Sequence, residues 1–445
     1  MNLSEHVGKA TLRLAVVAAI LLPGVGTAAF AQGGQAAGSP TLTAPAALRP
    51  IAVPARPEGT VLDLFQYDTA FAKQSTSGSA ESVLDDVLIG TRSLRVTTDG
   101  DGSQVNLRAT NVGPFDLSNS FLRLDLKLHG VAALDYLLIY LSTDGFQTYD
   151  AFQVLGGQRP REEAYAQDDE WFTITVNLGA TVAGAPASID LSQVTDIQLS
   201  LRDAGVGPVT VWYAALESVP SPARGLVSIV FDDARDGVFY YALPLARRLG
   251  IPASIAAIVD LVGQPTFMTV EQLHIAERFG GWEVIAHHTT PLEAGGFDTL
   301  STADLDFELA GVKRWLLDNG FRRGADVIAY PYGGFDSASL EQTRGYFAAG
   351  RTIMRTQGLE TFPPADPYRV RAISVVPGDG PAVVKALIDR AARERAWLVL
   401  VFHQVAPSGQ GYDTYYPAED LASIFGYLRT ADVDTRLFSD VIFGR

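Results

Sequence analysis

The chain has 445 residues, 47% of them hydrophobic, with 34 basic and 50 acidic side chains and no cysteine. That composition suits a soluble globular protein of two or three domains with sizeable cores, and it excludes a disulfide scaffold, a thiol nucleophile, an iron–sulfur protein and a cysteine-ligated zinc site. A formal net charge of −16 argues against nucleic acid or an anionic membrane as the main partner, because both need clustered Lys and Arg.

Residues 1–31 have the form of an export signal: Lys9 and Arg13 precede the apolar run Leu14–Leu22, and Ala29-Phe30-Ala31 is a small-x-small cleavage site. Removing Glu5, Lys9 and Arg13 takes away a net +1 and leaves −17 on the mature chain. The apolar run is about half of the twenty or so residues that span a bilayer, and no later stretch is long enough. The expectation is an exported protein, periplasmic or extracellular, with no stable membrane insertion. Residues 32–59 are rich in Ala, Gly, Pro and Thr, with Pro40, Pro45, Pro50, Pro54 and Pro57 at regular intervals and little to bury, which reads as a tether.

Over residues 60–220 the hydrophobic period is two. In Phe121–Leu128, Leu122, Leu124, Leu126 and Leu128 share one face and Arg123, Asp125 and Lys127 the other, the pattern of a half-buried strand. Ser93–Thr97, Gln104–Arg108, Tyr136–Leu141, Trp171–Asn177, Ile197–Leu201 and Val209–Ala214 repeat the theme, separated by turn clusters such as Asp99-Gly100-Asp101-Gly102. Short strands without a good amphipathic helix predict an antiparallel β-sandwich.

From residue 226 strands alternate with helices. Leu226–Phe231, Ala253–Val259, Trp282–Ala286, Asp326–Tyr330, Val370–Val376 and Trp397–Phe402 read as strands, and Thr302–Asn319 as a helix capped by Ser301 and ended by Gly320. That order predicts a parallel, barrel-like α/β domain. Reactive groups in such barrels gather where strands end. The ends here carry Asp232-Asp233, His287-His288, Tyr330-Pro331-Tyr332-Gly333-Gly334 and His403-Gln404, which include three of the five histidines beyond the signal. Paired carboxylates divide labour if one ligates a cation and the other stays free as a base, and imidazole with carboxylate is a common catalytic zinc set. A metal so held polarises a carbonyl and acidifies its bound water, while a second imidazole protonates a leaving group.

The run Ser228-Ile229-Val230-Phe231-Asp232-Asp233, with Pro244–Ala253 after it, resembles the opening of polysaccharide deacetylases, carbohydrate esterase family four. Gly281–His287 resembles that family's second motif, Ala329–Gly333 its third and Leu398–His403 its last, in order and over about half the chain. The resemblance implies a distorted (β/α) barrel over 226–445, removal of acetyl groups from an acetylated glycan, and a divalent metal ion, zinc being the expected one. It assigns Asp232 as the base, Asp233 and His287 as metal ligands, His403 as the general acid, and Tyr332 as the position whose backbone N–H helps to hold the oxyanion.

Three positions depart from the family pattern. Pro291 stands where a second metal histidine belongs, and His288, Glu293 and Asp298 are the candidates for the gap. Neighbours on an extended segment point apart, so His288 substitutes only if the chain turns there. Ala329 replaces an arginine that orients the base, with Arg369 or Arg371 on the next strand as candidate sources of that charge. Ala234 replaces a glycine after the aspartates.

The sandwich resembles jelly-roll carbohydrate-binding modules in strand pattern. Alternation puts Trp171 and Trp212 on polar faces, where exposed rings are platforms for a pyranose. The competing reading packs both under loops or against the other domain. The rival to a deacetylase is a glycan-binding protein whose deacetylase fold has lost metal and activity, with Pro291 as its evidence. A glycosidase pair is disfavoured, because its two carboxyls must converge across the scissile bond from about 5 Å or more apart, which consecutive residues do not.

Overall fold

The computed structural model describes residues 45–52, 58–156, 165–184, 186–292, 295–354, 358–407 and 414–445. The expected export segment and most of the tether, including Pro40, Pro54 and Pro57, lie outside the described residues, as does Glu293. No helix among the described residues is long and apolar enough to cross a membrane.

The described residues of the first half of the chain form a two-sheet sandwich, with strands β1 (Thr60–Asp63), β2 (Ala72–Lys73), β3 (Ser79–Val83), β4 (Ser93–Thr97), β5 (Gln104–Ala109), β6 (Ser120–His129), β7 (Leu134–Ser142), β8 (Asp150–Gly156), β9 (Trp171–Val176), β10 (Asp196–Asp203) and β11 (Thr210–Pro220). One sheet runs β3-β4-β11-β6-β9 with β1 on β11, and the other β2-β5-β10-β7-β8, all antiparallel. The leucines of β6 and the residues Ile197, Leu199 and Leu201 of β10 meet in one core, as their period-two spacing requires.

The polar face of β6 corrects the half-buried reading. Arg123, Asp125 and Lys127 are buried too, because each has a partner on a neighbouring strand or loop. Arg123 pairs with Glu217 at 2.5 Å, Lys127 pairs with Asp86, and the Thr173 hydroxyl donates to Asp125. The tether reading is corrected at one residue: Leu48, on a single helical turn Ala46–Leu48, is buried in the hydrophobic core of the second domain.

The second half is the expected α/β domain. Its strands are β12 (Gly225–Phe231), β13 (Ser254–Ile258), β14 (Glu283–His288), β15 (Gly324–Ala329), β16 (Ala349–Arg351), β17 (Leu359–Glu360), β18 (Ile373–Ser374), β19 (Trp397–Phe402), β20 (Gln404–Ala406), β21 (Tyr415–Pro417) and β22 (Val433–Thr435). The helices are α1 (Leu243–Leu249), α2 (Val270–Gly280), α3 (Thr302–Asp318), α4 (Ser337–Arg344), α5 (Pro381–Glu394), α6 (Ala418–Leu428) and α7 (Phe438–Phe443). Strands β16-β15-β14-β13-β12-β19 are parallel neighbours. Helix α3 starts as its sequence predicts: the Ser301 hydroxyl accepts the Asp304 N–H at 3.2 Å, a cap worth about 1 kcal/mol. Gly320 follows its end with φ +80°, a conformation that costs glycine nothing.

The expected strand Val370–Val376 is shorter than its pattern. Only Ile373–Ser374 pairs regularly, with Leu400–Val401 of β19, while Val370 bridges to Arg351 of β16. The Val370 N–H donates to Gly350 (3.0 Å), and its carbonyl accepts from Thr352 N–H (2.9 Å). This segment therefore lies between β16 and β19 and closes the barrel, touching one neighbour with its first residues and the other with its last.

Candidate active site

A cleft of about 720 Å³ opens at the carboxyl ends of the barrel strands, lined among others by Asp232, Asp233, His287, His288, Arg351 and His403. Asp232 leaves β12 and its N–H bonds to the Phe402 carbonyl at 2.8 Å, which brings it beside His403. The His403 Nε2 lies 4.0 Å from Asp232 Oδ2. On the other side Arg351 Nη2 donates to both Asp232 oxygens, at 2.8 and 2.7 Å. Burial pushes the Asp232 carboxyl up, but the charge of Arg351, with His287 and His403, outweighs it and holds the group below the usual carboxylate range.

Arg351 is the functional residue that sequence reasoning missed. Arg369 and Arg371, the expected sources of this charge, do not reach Asp232 and turn away to other partners. The pattern gave no warning, because Arg351 sits on a three-residue strand in the Ala- and Gly-rich run Phe347–Arg351. Ala329, read as a lost arginine, contributes through its backbone instead, its carbonyl accepting the His287 Nδ1–H at 2.8 Å.

That bond fixes the tautomer of His287 and leaves its Nε2 lone pair facing Asp233 Oδ1 at 3.8 Å. Burial pushes His287 down to about 4, so the ring is neutral at neutral pH. Two lone-pair donors each about 2 Å from a shared ion sit roughly 3–4 Å apart, so this pair fits a divalent cation. Among the described residues no cluster of three acidic or histidine side chains completes the seat.

His288 is not turned away as an extended strand would turn it. The register between β13 and β14 shifts between Ala257 and Ile258, so that Ile258 opposes His288 and His287 is passed over. Such a bulge re-aims side chains, and both histidines line the cleft with their rings 4.6 Å apart. Burial, with His287 next to it, pushes His288 down to about 4. Its Nδ1–H donates to the Thr290 carbonyl at 2.5 Å. Glu308 of α3 holds this turn: its carboxylate accepts the N–H groups of Thr289 (2.6 Å) and Thr290 (3.0 Å) and the Thr290 hydroxyl. Pro291 lines the cleft wall.

Three residues here hold left-handed backbone without being glycine: Asp233 (φ 71°), Ala234 (φ 54°) and Tyr332 (φ 56°). Each costs about 1 kcal/mol, so Ala234 stores strain that a glycine would not. The turn aims Asp233 between His287 and Arg235, whose Nε is 3.5 Å from Asp233 Oδ2 and whose guanidinium stacks on Phe267. Tyr332 is 55% exposed, its hydroxyl bonding the Leu292 carbonyl at 3.0 Å. The surrounding turn is closed by Gly333 N–H to Tyr330 and Gly334 N–H to Pro331, and the Tyr332 N–H is in neither bond. Asp298 packs against Gly334 and Gly296 rather than entering the cleft.

The two tryptophans of the sandwich are half-buried, and both meet the polar face of β6. Trp171 donates its Nε1–H to Asp86 at 3.2 Å, and Lys127 lies 4.7 Å over the Trp212 ring. Packing against a charged cluster, not an open platform, explains their position among polar neighbours.

A parallel α/β barrel with paired aspartates, three imidazoles and a Pro-Tyr-Gly turn at its carboxyl edge is similar to the polysaccharide deacetylases, as the sequence motifs implied. YxkH of Bacillus subtilis (strain 168), which bears the name of a polysaccharide deacetylase, is 26% identical over 197 residues, 42% of this chain, and the chain spans 66% of that relative's length. A family 4 carbohydrate esterase from Streptomyces lividans solved with acetate is 16% identical, over 47% of this chain and 91% of that one, with a TM-score of 0.33. A structure of carbohydrate-binding modules from the β-sandwich superfamily is 14% identical, over 36% of this chain and 63% of that one, at 0.27. No family model matches the chain.

Proposed function

We propose that the protein is a hydrolase that removes acetyl groups from a glycan, with Asp232 as base and His403 as acid. The observation that carries this reading is the placement of one buried carboxylate between Arg351 and the His403 ring, at the edge of an open cleft. Asp232, kept ionised by Arg351, takes a proton from water while the water oxygen bonds to the acetyl carbon. The carbonyl oxygen gains charge in that step, and the Tyr332 N–H is the donor that the turn leaves for it. His403 then gives a proton to the departing sugar nitrogen or oxygen as its bond to carbon breaks, and acetate leaves. Asp233 and His287 would hold a divalent cation, zinc by ligand type, which supplies polarisation of the carbonyl and acidification of water. Export to the periplasm or beyond is part of the proposal and rests on residues 1–31.

The test is acetate release from acetylated chitooligosaccharides and acetylated xylan by the wild-type protein and by Asp232→Asn and His403→Ala. General acid and base groups contribute about 100- to 10,000-fold, so each variant is expected to lose at least the lower figure. Tight glycan binding with no acetate released by any of the three would replace this reading with that of a glycan-binding protein.

A further inference from the structure

The closing segment of the barrel carries two buried arginines that leave Asp232 to Arg351 and bridge their own domain to the sandwich. Arg369 and Arg371 flank Val370, the residue that bridges to Arg351, and they are 0% and 3% exposed. Both reach into the sandwich. Arg369 Nη1 donates to the Tyr165 carbonyl at 2.8 Å, its Nη2 lies 2.5 Å from Glu170 Oε2, and its charge sits over the rings of Tyr165 and Phe172. Arg371 Nη2 donates to the Thr175 hydroxyl at 3.0 Å and to Glu360 Oε1 at 2.8 Å, and its Nε to Glu360 Oε2 at 3.0 Å. The Thr175 hydroxyl in turn donates to the buried Glu360, at 3.3 Å, and accepts from Thr361.

A buried guanidinium tolerates little displacement from its partners, because an uncompensated charge in the interior is costly. Val370 is thus flanked by two buried charges that each touch the sandwich: Arg369 is shared between Glu170 there and Asp366 of its own domain, and Arg371 between Glu360 of β17 and the Thr175 hydroxyl. The strand to which Val370 bridges is only three residues long, and that strand ends in Arg351, which holds both oxygens of Asp232. We infer that the sandwich is a positioning element of the catalytic centre: Glu170 and Thr175, acting through Arg369, Val370, Arg371 and Arg351, set the place of the Asp232 carboxylate. This rests on the reading of Asp232 as the base. The consequence for rate is large in principle, since about 1 Å of misplacement costs about 100-fold.

The experiment uses the full chain with 4-nitrophenyl acetate as the acetyl donor and the ¹⁵N side-chain spectrum of arginine as a second readout, the Arg351 signal being assigned by its loss in Arg351→Lys. Thr175→Val removes the hydroxyl that joins Arg371, Glu360 and Thr361 at nearly constant volume. The expected result is about a tenfold fall in kcat with KM unchanged, a displaced Arg351 resonance, and recovery of both in Thr175→Ser. Glu170→Gln, which loosens Arg369 instead, is expected to move the same resonance. A wild-type protein that turns over the ester, beside a folded Thr175→Val with unchanged kcat and an unmoved Arg351 signal, would overturn the inference. If the wild-type protein is inert while the resonance still moves, the coupling stands and it is the role of Asp232 as base that fails.

Discussion

Replacing Arg351 by methionine should destabilise the protein in a way that depends on pH. The Arg351 and Asp232 side chains are almost wholly buried and share two short hydrogen bonds. Removing one partner of a buried pair costs about 3–5 kcal/mol, because the other is left uncompensated. In the wild type the carboxyl is held below its ordinary range, so its contribution is present above the unfolded pKa and lost as pH falls through the folded one. In Arg351→Met the burial of Asp232 is no longer outweighed by that guanidinium, and the carboxyl pKa rises. The full loss is therefore expected near pH 8, shrinking toward pH 5 as Asp232 takes up a proton, by about 1.4 kcal/mol for each unit of pKa traversed. Urea unfolding followed by tryptophan fluorescence at several pH values measures this, with a constant slope against urea as the check that the transition is comparable. A loss below about 1 kcal/mol at pH 8, or one that widens on acidification, would refute the reasoning. The double substitution Arg351→Met with Asp232→Leu should recover most of the stability, since an apolar pair of similar volume is often as stable as a buried ion pair.

Calorimetry with zinc on the chelator-treated protein should give about one equivalent bound, weakened at least about tenfold by Asp233→Ala or His287→Ala; binding indifferent to both would remove the cation from the site. Glu308→Ala strands one buried and one half-buried N–H group and should cost about 2–4 kcal/mol in urea unfolding, against about 1–2 for Glu308→Gln, which keeps one acceptor. His287 and His288 have folded pKa values pushed down to about 4, so the metal-free protein should lose stability as pH falls from about 6.5 to 4, by up to roughly 3 kcal/mol for each ring. Urea midpoints across that range that stay flat, or that fall equally in the His287→Gln/His288→Gln variant, would contradict this. Trp171→Ala and Trp212→Ala should lower the melting temperature and leave affinity for xylan and chitin oligomers unchanged, as read by affinity electrophoresis.

Much of this architecture is legible in the sequence because it rests on local periodicity. The alternation of β6 and the apolar run of β19 define their strands to within a residue or two, and Ser301 and Gly320 bracket α3. Strand ends in a parallel barrel also converge by topology, so Asp232, Asp233, His287 and His403 meet in one cleft without any further information. What sequence does not carry is the partner of a long side chain. Arg351, Arg369 and Arg371 are three of the four arginines within twenty-one residues, and only tertiary packing decides that the first serves Asp232 while the other two bridge the barrel to the sandwich. The same holds for β6: alternation identifies which residues share a face, but not that the polar face is covered as well. A bulge is equally silent, and one misread register is what turned His288 away from the cleft in the sequence reading.

Strand β9 ends its sheet, and an open strand edge is a template on which a second chain can add. Two of its carbonyls are occupied by side chains instead of by another strand. Thr173 accepts the Tyr165 hydroxyl at 2.8 Å, and Thr175 accepts Arg371 Nη1 at 3.4 Å. The barrel thus blunts the edge of the sandwich with an arginine synthesised almost two hundred residues after the strand it covers. A chain that ends before that residue would keep the Tyr165 cover on Thr173 but lack the donor that Arg371 gives the Thr175 carbonyl, so the edge would be guarded at one point instead of two.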